Sequence, residues 1–374
     1  MIAQNDFTRQ WKAVERDVLS AVRRVGSSGW YILGKEVEQF EQALAEQSGV
    51  TYAVGVGNGM DALEIALRCV GLGEGQKVLT TSLSAFASTL AILRIGGSPV
   101  FVDVDGTGNL NLSACREQLG RDRSIRFFLP VHLYGNPVNL KQLADLRDEF
   151  NLQLVEDCAQ AIGATDKDLC VGTVGQVAAT SFYPTKNLGA LGDGGAILTN
   201  DPSIAARAKT LRNYGQSSLY HHSEPGLNSR LDELHAAILR EALLPNLGTW
   251  TARRRQIARA YYAGIRHAEI ELLPIEADAG SVWHLFPVLV SEGKRDALRD
   301  HLRAKEILSG IHYPRIIPDQ EALKAFPGYQ PATGLERARK FAQCELSLPI
   351  HPWLTDREVE TVIESCNGWV ASVG

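Results

Sequence analysis

Between residues 53 and 210 the sequence repeats one theme, a short apolar run, a turn and a helical stretch, and that repetition leaves few folds open. AVGVG (53–57) leads into MDALEIALRCV (60–70), whose apolar positions 60, 63, 67 and 70 fall on one helical face. KVLTT (77–81) precedes ASTLAILRI (87–95). PVFVDV (99–104), RFFLPV (126–131), LQLVED (152–157), ATSFY (179–183) and GAILT (195–199) complete seven strand candidates. Runs that are apolar throughout and alternate with helices predict a mostly parallel sheet covered on both faces, an α/β architecture. The last two runs are joined only by a glycine-rich loop, too short for a helical crossover, so they are expected antiparallel to each other.

After about residue 230 the pattern changes. RLDELHAAILREALLPNLGTWTARRRQIARAYYAGI (230–265) reads as a long helical region broken near Pro245. Beyond it SVWHLFPVLV, a helical stretch at 294–306 and the final DREVETVIESC predict a small α+β domain. The division is a large domain with an N-terminal arm over 1–245 and a small C-terminal domain over 246–374. A chain of 374 residues, 45% of them hydrophobic, can bury cores of that size.

The charge pattern narrows the function classes. A formal net charge of -5, with both signs interspersed, leaves no electrostatic footprint for nucleic acid or for a membrane surface. No apolar run approaches the roughly 18 residues of a membrane span, and a cytoplasmic location is expected. Six cysteines lack CxxC or Cys/His spacing and read as reduced, mostly core residues. No metal site is expected; the adjacent His221 and His222 lie in SSLYHHSEPG and read as a solvated loop or a substrate flap.

In open α/β sheets ligands bind beyond the carboxyl ends of the strands, and four of those ends carry usable chemistry. GNGMD (57–61) enters a helix, where Gly59 and Met60 can offer backbone N–H groups to a phosphate or can serve packing alone. It is not GxGxxG, and no acid stands at the next strand end to hold a ribose, which argues against a dinucleotide. Asp157, with Gln160 one turn on, can bind a metal, cap a helix or hold a cationic ring nitrogen. Ser181, Tyr183 and Lys186 follow the sixth run, and on position alone Lys186 reads as a surface loop lysine. Together, a phosphate cradle, a strand-end aspartate and a lysine are the three contacts that pyridoxal phosphate requires. Phe86, after the second run, is placed to cover the ring.

At these residues the sequence closely resembles the DegT/StrS family, fold-type I, pyridoxal-phosphate-dependent aminotransferases that act on nucleotide-linked keto sugars. The resemblance runs from SGWYILGKEVEQFE (28–41) through GNGMDAL, PVFVDVD, VEDCAQAIGA, SFYPTKNLGALGDGGAILTN, LRNYG and GLNSRLDELHAAIL to SGIHYP and LSLPIHP. It implies that Lys186 forms the Schiff base, that Asp157 pairs with the pyridine nitrogen and that Gln160 faces the ring. It also implies that Ser181 binds the phosphate with the Gly59 and Met60 amides. Asn228, in the family's GxNxRxDE motif, would reach the partner subunit's phosphate, making a homodimer with shared sites. Ile162 stands where many relatives have histidine, GNGMDAL replaces the more frequent SGTDAL, and the segment before Phe86 is one residue longer than usual.

Tyr183, Arg230, His312 and Tyr313 match family positions at the sugar site. Arg230 can bind the carboxylate of the amino donor, L-glutamate by resemblance, or can pair with Asp232; His312 and Tyr313 can equally belong to a structural loop. GWYILG, NGMDAL and GLNSRLDE look most like the branch that aminates a dTDP-linked 3-keto-6-deoxyhexose. The alternatives are amination at C4 of a UDP-, GDP- or dTDP-sugar, and a non-catalytic regulator that kept the cofactor pocket. Related sugar dehydratases carry histidine in place of the lysine.

Overall fold

The computed structural model describes residues 1–275, 280–326 and 332–370. Seven strands form the central sheet: β1 (Tyr52–Val56), β2 (Lys77–Thr81), β3 (Ser98–Val102), β4 (Phe127–Leu129), β5 (Gln153–Asp157), β6 (Val177–Ser181) and β7 (Gly195–Thr199). Their spatial order is β1-β7-β6-β5-β4-β2-β3. Pairs from β3 to β6 are parallel, whereas β7 runs antiparallel to both β6 and β1. The sheet is thus mostly parallel, and the expected reversal at the glycine-rich loop is present. A seven-stranded, mostly parallel sheet between helices is the α/β architecture that the sequence predicts.

Helices cover both faces because the strands are apolar on both. One cluster packs Val54, Val56, Val155, Val177 and Ile197 against Leu63, Leu67 and Ile204. The other face meets Phe40, Leu44, Leu143 and the 233–247 segment. Burying these side chains contributes roughly 1.5–3 kcal/mol each, which drives assembly of a sheet whose edges are otherwise unremarkable in sequence. Helix Gly59–Cys69 opens on Asn58, whose side chain accepts from the Asp61 N–H at 2.8 Å.

The broken region expected at Pro245 resolves into helix Glu233–Ile238, a π turn, a 3₁₀ turn over Leu244–Asn246 and helix Leu247–Gly264. Proline has no N–H to continue the ladder, and the chain changes helix type there. A third cluster joins Ile257, Tyr261, Trp283, Phe286, Leu298, Leu346 and Val362 around a three-stranded antiparallel sheet of Ile270–Leu272, Phe286–Val290 and Glu345–Leu348. It also takes in Leu83, Val131 and Tyr134 from the large sheet's strand ends.

The N-terminal segment touches both parts. Ile2 donates to Glu306 O at 2.7 Å and accepts from Leu308 N at 2.9 Å. Helix Phe7–Ser28 follows, burying Val14, Val18, Ala21 and Val25 in the large-domain core. Among the described residues no helix is long and apolar enough to cross a membrane.

Candidate active site

The ends of β2, β4, β5 and β6 and the start of helix Gly59–Cys69 converge on one cleft rim. At its floor two glycines permit an approach that no other residue would. A Cβ on Gly195 would lie 2.5 Å from the carbonyl carbon of Asn58 and 2.8 Å from Gly59 N, and a Cβ on Gly59 would lie 2.5 Å from Ser181 Cβ. Ser181 and Gly195 are register partners across β6 and β7. The first helical N–H groups therefore sit directly over the Ser181 hydroxyl, an anion cradle made from backbone and one small side chain.

Asp157 ends β5 with its backbone pinned on both sides: its N–H donates to Pro130 O at 2.9 Å and its carbonyl accepts from His132 N at 3.1 Å. The carboxylate is 3% exposed. It accepts the Ser88 hydroxyl at 2.7 Å and the Ala159 N–H at 3.1 Å. Lone-pair capacity remains for a cationic partner in the cleft. Gln160 is held between Tyr134 N, which donates to its Oε1 at 2.7 Å, and Tyr313 Oη, which accepts from its Nε2 at 3.0 Å. The Gln160 amide is thereby oriented on the site's wall.

Lys186 lies in the β6–β7 hairpin, with its N–H donating to Tyr183 O at 2.8 Å. Phe182 anchors the loop, hydrogen-bonded to Gly194 and Ala190 and packed edge-on against Phe40. Gly189 lets the loop close on itself, since a Cβ there would fall 2.3 Å from Pro184 O. Burial pulls the Lys186 ammonium down to about 8, opposed by the Asp157 carboxylate. Such a lysine is partly free base near neutrality, as a nucleophile or proton carrier must be. A surface lysine would feel neither influence.

Phe86 opens helix Phe86–Arg94 and is half-buried beside Leu93, Ile317 and Leu323. Tyr183 is 53% exposed at the rim. Asn228 is exposed too. Arg230 does not pair with Asp232: its guanidinium donates to the side-chain oxygens of Asn213 and Asn228 and lies 5.1 Å over the Tyr214 ring. Asp232 instead binds His235 and caps the helix that follows. Its charge is spent on its own helix, and among the described residues Arg230 makes no ion pair.

His312 and Tyr313 enter from the small domain. The His312 N–H donates to Glu345, and its Nδ1 stands 3.0 Å from Ser347 Oγ. Burial and the Lys186 charge hold the His312 ring down to about 4, so it is neutral. Sequence reasoning missed Ser88, Tyr134, His284, Ser347 and Glu345. Tyr134 follows β4 with a φ of 60°, so the strand-end rule applied to VHLYG could have found it. A lone glutamate inside an apolar strand was the signal for Glu345.

His221 and His222 form an exposed hairpin strand in which His221 faces Ser217 Oγ and His222 faces Tyr214 O. Among the described residues one group, His132, Glu156 and Cys158, has metal-ligating spacing. Its carboxylate is already taken by the N–H groups of Gly172, Val174 and Gly175 and by His132 Nε2. It braces β5 from behind.

The residues present fit pyridoxal phosphate: the cradle suits its phosphate, Asp157 its ring nitrogen and the half-buried lysine its aldehyde. Comparison with known proteins agrees. The chain is 41% identical over 370 residues to a dTDP-3-amino-3,4,6-trideoxy-alpha-D-glucose transaminase of Streptomyces venezuelae, covering 98% of this chain and 96% of that protein. It is also 41% identical to a dTDP-3-amino-3,6-dideoxy-alpha-D-galactopyranose transaminase of Aneurinibacillus thermoaerophilus, covering 94% and 95%. The crystal structure of S. venezuelae DesV in complex with a ketimine intermediate superposes with a TM-score of 0.94 at 39% identity, over 100% of this chain and 99% of that one. The model of the DegT/DnrJ/EryC1/StrS aminotransferase family matches residues 12–367, and the chain belongs to that family.

Proposed function

We propose that this pyridoxal-phosphate-dependent aminotransferase moves the amino group of L-glutamate to a nucleotide-linked keto sugar, with a dTDP-3-keto-6-deoxyhexose as acceptor. The observation that carries the chemistry is the half-buried Lys186, held near neutrality by burial on one side and Asp157 on the other. The acceptor is argued from relatives named for dTDP-3-amino sugars across nearly the full chain.

Bound pyridoxal phosphate supplies the electron sink for a proton leaving an amino-acid Cα. Asp157 holds the proton on the ring nitrogen, with Ser88 fixing the carboxylate. Gly59, Met60 and Ser181 bind the phosphate, Gln160 supports the ring and Phe86 covers it. Lys186 Nζ takes the Cα proton of the donor and gives it back on the acceptor side. Arg230, without a carboxylate partner among the described residues, meets the donor's acid. Tyr183, His312 and Tyr313 line the sugar.

The working unit is a homodimer in which Asn228 reaches the partner subunit's phosphate. Exposed Trp30, Tyr31 and Ile32, together with Leu219 and Tyr220, supply apolar surface for that contact. The test is the visible absorbance of protein with added pyridoxal phosphate, before and after L-glutamate, alongside Lys186→Ala. A band that glutamate bleaches, and that the variant lacks, is expected. Product analysis with dTDP-3-keto and 4-keto sugars then separates C3 from C4 amination. A band indifferent to every amino donor overturns the reading.

A further inference from the structure

Glu345 and Ser347 are fully buried in the strand Glu345–Leu348. Both side chains point to the same face, two residues apart on one strand. Ser347 Oγ lies 2.5 Å from Glu345 Oε1 and 3.0 Å from His312 Nδ1, while Glu345 Oε2 accepts the His312 N–H at 2.5 Å. The three side chains form an unbroken line from a buried carboxyl to a histidine of the sugar site. Among the described residues Glu345 makes no ion pair, and His312 Nε2 makes no hydrogen bond. A carboxyl sealed in this way is costly unless it has a task or a proton.

The groups facing this line are few. Arg295 favours the ionised carboxylate, and the Ser347 and His312 donors do so more strongly. Tyr134 donates to His312 O, and Tyr313 stands beside Gln160. Lys186 disfavours charge on His312. His284, buried near Lys186, is kept neutral. Burial outweighs the donors and pushes the Glu345 carboxyl up to about 8.

We propose that Glu345 is a positioning residue whose proton, relayed through Ser347, decides which nitrogen of His312 carries hydrogen and so what His312 offers the acceptor sugar. With Glu345 protonated, its O–H donates to Ser347 Oγ, the serine O–H donates to His312 Nδ1, and the ring proton sits on Nε2, the nitrogen left without a partner among the described residues. When Glu345 is ionised, the serine O–H turns to the carboxylate, the ring proton moves to Nδ1, and Nε2 keeps a lone pair. One proton is released to solvent between the two states. A sugar carbonyl can only accept a hydrogen bond, so it needs the first arrangement.

The inference rests on the sugar-aminotransferase reading, and its test separates the two. The holoenzyme's sugar and glutamate half-reactions are measured singly from pH 6 to 10, and their ratio cancels the titration of Lys186, common to both. In the wild type the ratio is expected to fall about tenfold per pH unit above about 8. Glu345→Gln donates permanently to Ser347 Oγ, and its ratio stays flat; Ser347→Ala breaks the line and also removes the limb. An independent readout is nitrogen NMR of histidine-labelled holoenzyme. His312 changes tautomer near pH 8 in the wild type and holds the Nε2–H form throughout in Glu345→Gln. The same falling limb in the glutamine variant, or a wild-type tautomer constant from pH 6 to 10, overturns the relay. If no keto sugar reacts, the functional reading fails, and the NMR measurement still decides the relay.

Discussion

Gly195→Ala tests the phosphate cradle without touching a side chain that does chemistry. The new methyl would stand 2.5 Å from the backbone of Asn58, whereas ordinary contact begins near 3.4 Å, so the neighbours must separate by about 0.9 Å. Strand β7 is hydrogen-bonded along both edges and cannot retreat easily. The first peptide of helix Gly59–Cys69 yields instead, and it carries the N–H groups proposed to meet the phosphate. Overpacking of this kind costs about 1–3 kcal/mol, read as a fall of about 1–4 °C in the melting temperature of the cofactor-free protein. Losing one hydrogen bond to a charged oxygen costs about 1.5–3 kcal/mol, a rise of about 10- to 150-fold in Kd. Pyridoxamine phosphate is the ligand to titrate, by calorimetry, because it makes no covalent bond to Lys186 that would mask the loss. Gly248→Ala is the control, since nothing lies within 4 Å of a Cβ there. If Gly195→Ala melts lower but binds pyridoxamine phosphate as tightly as the control, the cradle is misplaced.

Lys186→Ala is expected to abolish turnover while leaving pyridoxamine phosphate bound, and any residual multiple turnover would contradict the proton-carrying role. Asp157→Asn is expected to cut the glutamate half-reaction by at least about a hundredfold, checked by stopped-flow absorbance; near-normal rates count against it. Reaction of Lys186 in the cofactor-free protein with an amine reagent should rise with pH through a midpoint near 8. Because the Asp157 charge raises that value, the midpoint moves lower in Asp157→Asn, and an upward move would reverse the sign argued here. Finally, inactive Lys186→Ala and Asn228→Ala proteins, mixed and allowed to exchange subunits, should recover up to about a quarter of wild-type activity, because half of random dimers hold one intact shared site. No recovery would place each site within one subunit.

How much of this was legible depended on where the physics is local. Strands KVLTT and GAILT were readable to the residue because turn residues bound them on both sides. ATSFY ran two residues late: pairing stops at Ser181, where its partner Gly195 begins, and apolarity continues into Phe182, which packs on Phe40 rather than in the sheet. The segment taken as an N-terminal arm contains a 22-residue helix, visible afterwards in the spacing of Val14, Val18, Ala21 and Val25. Lys186 stood out only as one of a set with the strand-end aspartate and the phosphate cradle, since on position alone it reads as a surface loop lysine; the structure half-buries it within reach of the Asp157 charge. The Ser88 contact with Asp157 and the Glu345 contact with His312 were not legible, since each joins elements far apart in sequence. No spacing rule connects Ser88 to residue 157 or His312 to residue 345.

The double attachment of the N-terminal segment gives the molecule a mechanical stop. Ile2 is fastened to the small domain at Glu306 and Leu308, and helix Phe7–Ser28 is sunk in the large-domain core. Arg9 adds a second tie, to Trp353 O and Glu358. Only Ala3–Asp6 lies between the two anchorages, and four residues span at most about 14 Å fully extended. Any swing of the small domain, with His312 and Tyr313 aboard, is played out on a short leash, and Asn5 and Asp6 of that leash line a pocket together with Lys186. Shortening or lengthening that leash is a way to retune how widely the small domain opens to a bulky sugar nucleotide, and it reshapes the wall beside Lys186 at the same time.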